Sequence, residues 1–218
     1  MLIHYGQQPQ DTVLLPDCSG TMTQRDYPPS RLGAAIGSGE EFAEVRAQIS
    51  PYDRVAVVSY GSHAVRHCGL ELLKTDQKRV LQAIRSIRAG ELTAMGKGFR
   101  AAEKLLLTEN GASARGLWRW FLGDEPAILK PRLKRVICLT DGHHNHGRHP
   151  LPIAERLKQA GVLIDCIGIG GSPSEVDEEL LRQLASVDKR HGGVRYRFID
   201  DAAELHKYFR QLATSITR

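Results

Sequence analysis

The sequence predicts an α/β fold of three layers (αβα), in which helices cover both faces of a central, mostly parallel six-stranded sheet with one antiparallel edge strand. Three observations lead there. Apolar runs alternate with segments of helical periodicity along the whole chain, the pattern of right-handed βα crossovers. The run "RVICLTDG" (135–142) is almost continuously apolar until its last residues, as in a strand buried on both faces. Only a tight turn's worth of chain separates "DRVAVVSYG" (53–61) from "AVRHCGLELL" (64–73), and a connection that short joins antiparallel strands.

The elements follow in order. "TVLLP" (12–16) is the first strand. Ser30 then caps a helix that carries Leu32, Ile36, Phe42, Val45 and Ile49 on one face. After the two strands already quoted, Thr75 caps a helix with Val80, Ile84 and Ile87 in register, and "MGKGFRAAEKLLL" (95–107) forms another. The strand from Arg135 precedes "LPIAERLKQAG" (151–161), a helix that Gly161 closes from the C′ position. "VLIDCIGIGG" (162–171) is the next strand. Ser172, Pro173 and Glu175 then combine an N-cap, a first-turn proline and a capping-box partner at the start of a helix. "VRYRFID" (194–200) and "AAELHKYFRQLATSI" (202–216) end the chain as strand and helix, with Asp200 and Asp201 at the N-cap.

Bulk properties narrow the function classes. The 218 residues suffice for one domain, and 41% apolar with 25% charged residues is ordinary for a globular core. The net charge of +5 is spread among acidic residues, without the basic–aromatic interleaving or zinc-finger spacing of a nucleic-acid binder. Cys18, Cys68, Cys138 and Cys166 form no CxxC pair, which reads as reduced thiols in a cytoplasmic protein. "MLIHYGQQPQD" lacks the features of a secretory leader, and no run reaches the ~20 apolar residues of a membrane span.

Chemistry concentrates at strand ends. "VLLPDCSGTM" (13–22) runs from a strand into Asp17, Ser19 and Thr21, three oxygen-bearing side chains within five positions. Such residues also cap helices and close turns, so this run alone decides nothing. Thr93 in "GELTAMGKG" (90–98) and Asp141 in "LTDGHHN" (139–145) offer oxygens at the same kind of place. Ligands of open α/β sheets collect beyond the carboxyl ends of the central strands. With the first and fourth strands adjacent, Asp17 and Asp141 end side by side, and they repel unless a cation lies between them or one is protonated. An all-oxygen set suits Mg²⁺, Mn²⁺ or Ca²⁺ better than zinc.

"DTVLLPDCSGTM", "LTAMGKGF" and "RVICLTDGHHN" together resemble the three loops of the von Willebrand factor type A (vWA) domain. That family's metal-ion-dependent adhesion site (MIDAS) joins a D-x-S-x-S loop, a separate Thr and a separate Asp. The resemblance extends from about Asp11 to Ile216 and includes "DRVAVVSYG", "IDCIGIGG" and "ELHKYF". It implies a Rossmann-like single domain over 1–218, with its core at about 11–216 and an insertion at about 108–133. It further implies hydroxyl ligands from Ser19, Thr21 and Thr93, with Asp17 and Asp141 acting directly or through water. Thr21 stands where the family usually has a second serine. The implied activity is docking of a partner's Asp or Glu on the bound Mg²⁺, and the implied partners include AAA+ ATPases and multiprotein stress or assembly systems.

Other readings are weaker. "GELTAMGKG" has five residues between Gly90 and Gly96 where a P-loop has four, and Gly98 replaces the hydroxyl that follows the lysine. A Ser19–His143–Asp141 hydrolase lacks the G-x-S-x-G elbow. The run "HHNHGRH" reads as a polar loop in which His143 could meet acidic partners. The insertion holds Trp118 and Trp120 among basic residues, either folded onto the body or forming a partner surface. Two alternatives to docking stay open: a metal-dependent hydrolase acting on a phosphoester, and a metal-free scaffold.

Overall fold

A computed structural model describes residues 8–108, 131–188 and 192–215. Six strands form one sheet: β1 (Gln10–Pro16), β2 (Arg54–Tyr60), β3 (Ala64–Leu72), β4 (Leu133–Thr140), β5 (Val162–Ile169) and β6 (Tyr196–Ile199). Their order is β3-β2-β1-β4-β5-β6; β2–β3 is antiparallel and every other pairing is parallel. The chain leaves β1 toward β2 and later returns to β4 on the other flank. The gap between β1 and β4 is therefore the topological switch point where doubly wound sheets bind ligands.

The two-residue strand period divides the core into two layers. Leu14, Val57, Ile137 and Ile167 face α1 (Arg31–Ile49), α2 (Leu73–Arg85) and the last helix, Ala202–Thr214. Val13, Leu15, Val58, Val136, Cys138 and Ile164 face α3 (Met95–Glu103), α4 (Leu151–Gln159) and α5 (Glu178–Leu184). The last helix is hereafter α6. Both faces are covered, as the apolar strand runs require.

Several local expectations hold. Ser30 caps α1 by accepting from Gly33 N at 3.0 Å, Asp201 caps α6 by accepting from Glu204 N at 2.7 Å, and Gly161 follows α4 with φ of +77°. Others need correction. Ile49 is exposed, and the buried face of α1 instead includes Arg31 and Arg46, each neutralised by acids. Helix α2 starts at Leu73 with a kink at Asp76, so Thr75 lies inside its first turn and donates to Asp76 and Leu72 O. Ser172 to Glu175 form no α-helical capping box. Pro173–Glu175 is a lone 3-10 turn, and α5 begins at Glu178 under Asp177, which accepts from Leu180 N at 3.0 Å.

Buried charge fastens the opposite end of the sheet. Asp165 accepts from Arg135 Nε at 2.6 Å and Arg195 Nη1 at 3.1 Å, while Arg46 pairs with Asp53. Among the described residues no helix is long and apolar enough to cross a membrane.

Candidate metal centre

The loop after β1 is laid across the ends of its neighbours. Asp17 N donates to Leu139 O at 2.7 Å and Cys18 N to Tyr60 O at 2.8 Å, so β4 and β2 both fix its path. The loop carrying Thr93 is tied to it, Gly90 N donating to Cys18 O at 2.5 Å and Gly20 N to Glu91 O at 3.3 Å. The loop after β4 closes the ring. Asn145 N donates to Thr93 O at 3.2 Å, and Thr93 N donates to the Asn145 carboxamide oxygen at 3.0 Å.

Side chains converge inside this ring. Asp17 accepts from Ser19 N on Oδ1 and from the Thr140 hydroxyl on Oδ2, both at 2.7 Å. The Ser19 and Thr21 hydroxyls are 3.2 Å apart, and Thr21 donates to Asp141 Oδ1 at 2.8 Å. Asp17, Ser19, Thr93 and Asp141 are buried, whereas Thr21 lies at the exposed rim. Thus Ser19, Thr21 and Asp141 form a hydrogen-bonded chain with Asp17 at its root, and backbone bonds bring Thr93 to the same ring. Sequence reasoning missed Thr140, Asn145 and Arg31, whose Nη1 donates to Asp141 Oδ2 at 3.1 Å. Thr140 and Asn145 flank Asp141 in "LTDGHHN", where their hydroxyl and amide were visible signals.

Electrostatics at this point favour a cation. Burial pushes the Asp17 carboxyl up to about 7, the negative charge of Asp141 adds to the rise, and the Ser19 and Thr140 hydrogen bonds oppose it. Burial also raises Asp141, against the hydrogen bonds from Thr21 and Arg31. Two buried carboxylates whose ionisation is resisted by desolvation and mutual repulsion, ringed by hydroxyls, match a hard dication with oxygen ligands. The donor set is poor in carboxylates: among the described residues no group of three or more His, Cys, Asp or Glu could hold a metal.

The remaining expected residues lie elsewhere. His143 is exposed, with Nδ1 4.0 Å from Asp177 Oδ2. Asp141 Oδ1 accepts from Thr21 and Oδ2 from Arg31, and among the described hydrogen bonds none joins Ser19 to His143, so the triad arrangement is not formed. Trp118 and Trp120 lie outside the described residues.

The profile of the von Willebrand factor type A domain matches residues 12–143, a stretch that contains all five oxygen donors. The chain belongs to the von Willebrand factor type A family. Among curated relatives, a UPF0353 protein of Mycolicibacterium paratuberculosis is 28% identical over 173 residues, covering 77% of this chain and 46% of that protein. Another UPF0353 protein, from Mycolicibacterium gilvum, is 26% identical over 192 residues, covering 80% and 52%. The chain thus spans about half the length of the curated relatives it matches. Two solved structures show the same vWA fold. The vWF domain of the type V pili tip protein Mfa5 from Porphyromonas gingivalis superposes with a TM-score of 0.72 at 15% identity, covering 97% of each chain. Proximal thread matrix protein 1 from the mussel byssus, solved with a zinc-occupied MIDAS motif, gives 0.68 at 20% identity, covering 95% of this chain and 48% of that one.

Proposed function

We infer that this vWA domain is a divalent-metal-dependent protein-binding module. One observation carries the reading: Asp17 and Asp141, buried on separate loops at the carboxyl ends of β1 and β4, share one hydrogen-bonded cluster with Ser19 and Thr21. Ser19, Thr21 and Thr93 would hold the ion through hydroxyls, with Asp17 and Asp141 balancing its charge directly or through water. Bound there, the dication supplies a Lewis-acidic corner for an incoming carboxylate oxygen. The hydroxyl-rich donor set favours Mg²⁺, with Mn²⁺ or Ca²⁺ as substitutes, and the zinc seen in the mussel relative supports divalent binding in general. The partner is a protein offering Asp or Glu; an AAA+ ATPase or a multiprotein assembly is the class the family resemblance implies. All four cysteines are buried and unpaired, which supports a reducing, cytoplasmic setting.

Calorimetric titration with Mg²⁺ and Mn²⁺ tests the reading. One binding event in the natural protein, lost in Asp17→Ala and weakened at least about tenfold in Thr93→Ala, is the expected result. No binding heat and no thermal stabilisation by either ion would overturn it. Turnover of a generic phosphoester with Mg²⁺, abolished by Asp17→Ala, would instead establish the hydrolase.

A further inference from the structure

Arg31 is the first residue of α1, where a cation opposes the positive end of the helix macrodipole, yet its side chain is only 3% exposed. Three carboxylates hold it there. Asp26 accepts from Nε at 3.0 Å and from Nη2 at 2.5 Å, Asp141 from Nη1 at 3.1 Å, and Glu175 from Nη2 at 2.6 Å. These acids are not equivalent. Asp26 grips the guanidinium with a two-pronged fork. Asp141 is fully buried and also fixed by Thr21. Glu175 is about as exposed as Asp26, 38% against 36%, but it contacts Arg31 through one oxygen only and projects from the Pro173–Glu175 turn.

The seat of Glu175 has a backbone floor. A Cβ built on Gly170 would meet Glu175 Oε2 at 2.9 Å, and one on Gly171 would meet Oε1 at 3.0 Å. The Glu175 carboxylate therefore lies close against two glycines, paired with a buried arginine that also donates to Asp141 of the candidate metal centre. The charges also decide something. Asp17, Asp26, Asp141 and Glu175 against Arg31 and one dication already leave excess negative charge, so an acid that comes to Arg31 replaces a resident acid and does not join it. Glu175 has the fewest ties.

We propose that Arg31 forms a second carboxylate subsite beside the metal corner, held in this structure by Glu175, and that the domain recognises a partner segment bearing two acidic side chains a few residues apart. One carboxylate goes to the metal and the other takes Glu175's place on Arg31. Only the first of these contacts rests on the metal-docking reading. Arginine suits the second, because its planar fork binds a carboxylate in charge-assisted pairs.

The test follows the Arg31 Nε–H resonance by ¹⁵N NMR during titration with a blocked peptide containing Glu-Gly-Glu and a control containing Glu-Gly-Gln. In EDTA, Glu175→Gln should bind the two-acid peptide at least about tenfold more tightly than the natural protein and shift the Arg31 signal. Adding Arg31→Lys, which keeps the charge and removes the fork, should erase that gain. With Mg²⁺, the two-acid peptide should outcompete the one-acid control. Equal affinity of Glu175→Gln and the natural protein in EDTA, or an Arg31 resonance that does not move, overturns the subsite. A gain that persists in EDTA with no added effect of Mg²⁺ supports the subsite and removes the metal reading, so the two failures are distinguishable.

Discussion

Consider Asp17→Asn, which removes one charge and keeps the outline of the side chain. In the folded, metal-free domain the Asp17 carboxyl titrates near 7 against an ordinary 3.8, chiefly because it is wholly buried. At about 1.4 kcal/mol for each tenfold change, keeping it ionised costs the fold about 4 kcal/mol. The native state holds the extra proton between those two values. Stability is therefore greatest below the unfolded value and is lost as pH rises through about 7. Asparagine never ionises and escapes this cost. Its amide nitrogen cannot accept, however, so the bond from either Ser19 N or the Thr140 hydroxyl is sacrificed, at about 1–3 kcal/mol. The net expectation at pH 8 in EDTA is a gain of about 1–3 kcal/mol, or roughly 2–4 °C in Tm for each kcal/mol. Near pH 5 the two effects cancel and the gain vanishes.

Thermal unfolding in EDTA at pH 8 and pH 5, repeated with excess Mg²⁺, measures this. Mg²⁺ at a hundred times its Kd should stabilise the natural protein by about 2.7 kcal/mol and leave Asp17→Asn unmoved. The variant would then be the more stable protein without metal and the deficient one with it. An Asp17→Asn domain less stable than the natural one at pH 8 in EDTA refutes the reasoning, as does an equal response of both to Mg²⁺.

Four further substitutions probe the scaffold. Asp165→Asn strips charge from Arg135 and Arg195 at a buried site and should cost about 3–5 kcal/mol, read as a lower urea midpoint with an unchanged slope. Gly96→Ala would put a methyl group 1.9 Å from Arg148 O, so the 148–149 backbone must move; a loss of about 1–3 kcal/mol in chemical unfolding is expected. Gly161→Ala forces an L-residue to φ of +77° after α4 and should lower stability by about 1 kcal/mol, whereas Gly142→Ala, with open space at its Cβ, should leave stability nearly unchanged.

What the sequence made legible was local. The strands are written in apolar runs, and β1 and β4 adjoin, which meets the condition for Asp17 and Asp141 to end side by side. Asp17, Ser19 and Thr21 fall within five positions, a run that caps and turns also explain, and it was the resemblance to vWA loops that tied them to Thr93 and Asp141. What escaped was long-range pairing of charge. Arg31 looked like an ordinary polar position at a helix start, because two of its three acids lie 110 and 144 residues away. The same pairing undid the capping box: Glu175 could have reached back to Ser172, but an ion pair with a buried guanidinium is stronger than a cap at an exposed turn. Ile49 failed for another reason. Its helical phase is right, but it is the final residue of α1, beyond the packed part of the face, while Arg46 in the same last turn is drawn inward by Asp53 and Ala213 O.

The same buried arginines limit what can move when an acid exchanges at Arg31. Helix α6 is capped at its start by Asp201, and its last turn is gripped by Arg46 on Ala213 O at 2.9 Å and Arg135 on Leu212 O at 3.0 Å. Sliding α6 along the sheet would leave two buried guanidinium groups short of acceptors, each a loss of about 1.5–3 kcal/mol. Releasing Glu175 gives up one part-exposed ion pair, and Pro173 and Ser174 of its turn are already exposed. Displacement by a partner's acid is therefore confined to the segment around 170–177. Amide hydrogen exchange should rise there on adding the two-acid peptide and stay constant through α6; faster exchange across Leu205–Ala213 would show instead that the helix, and not the turn, yields to the ligand.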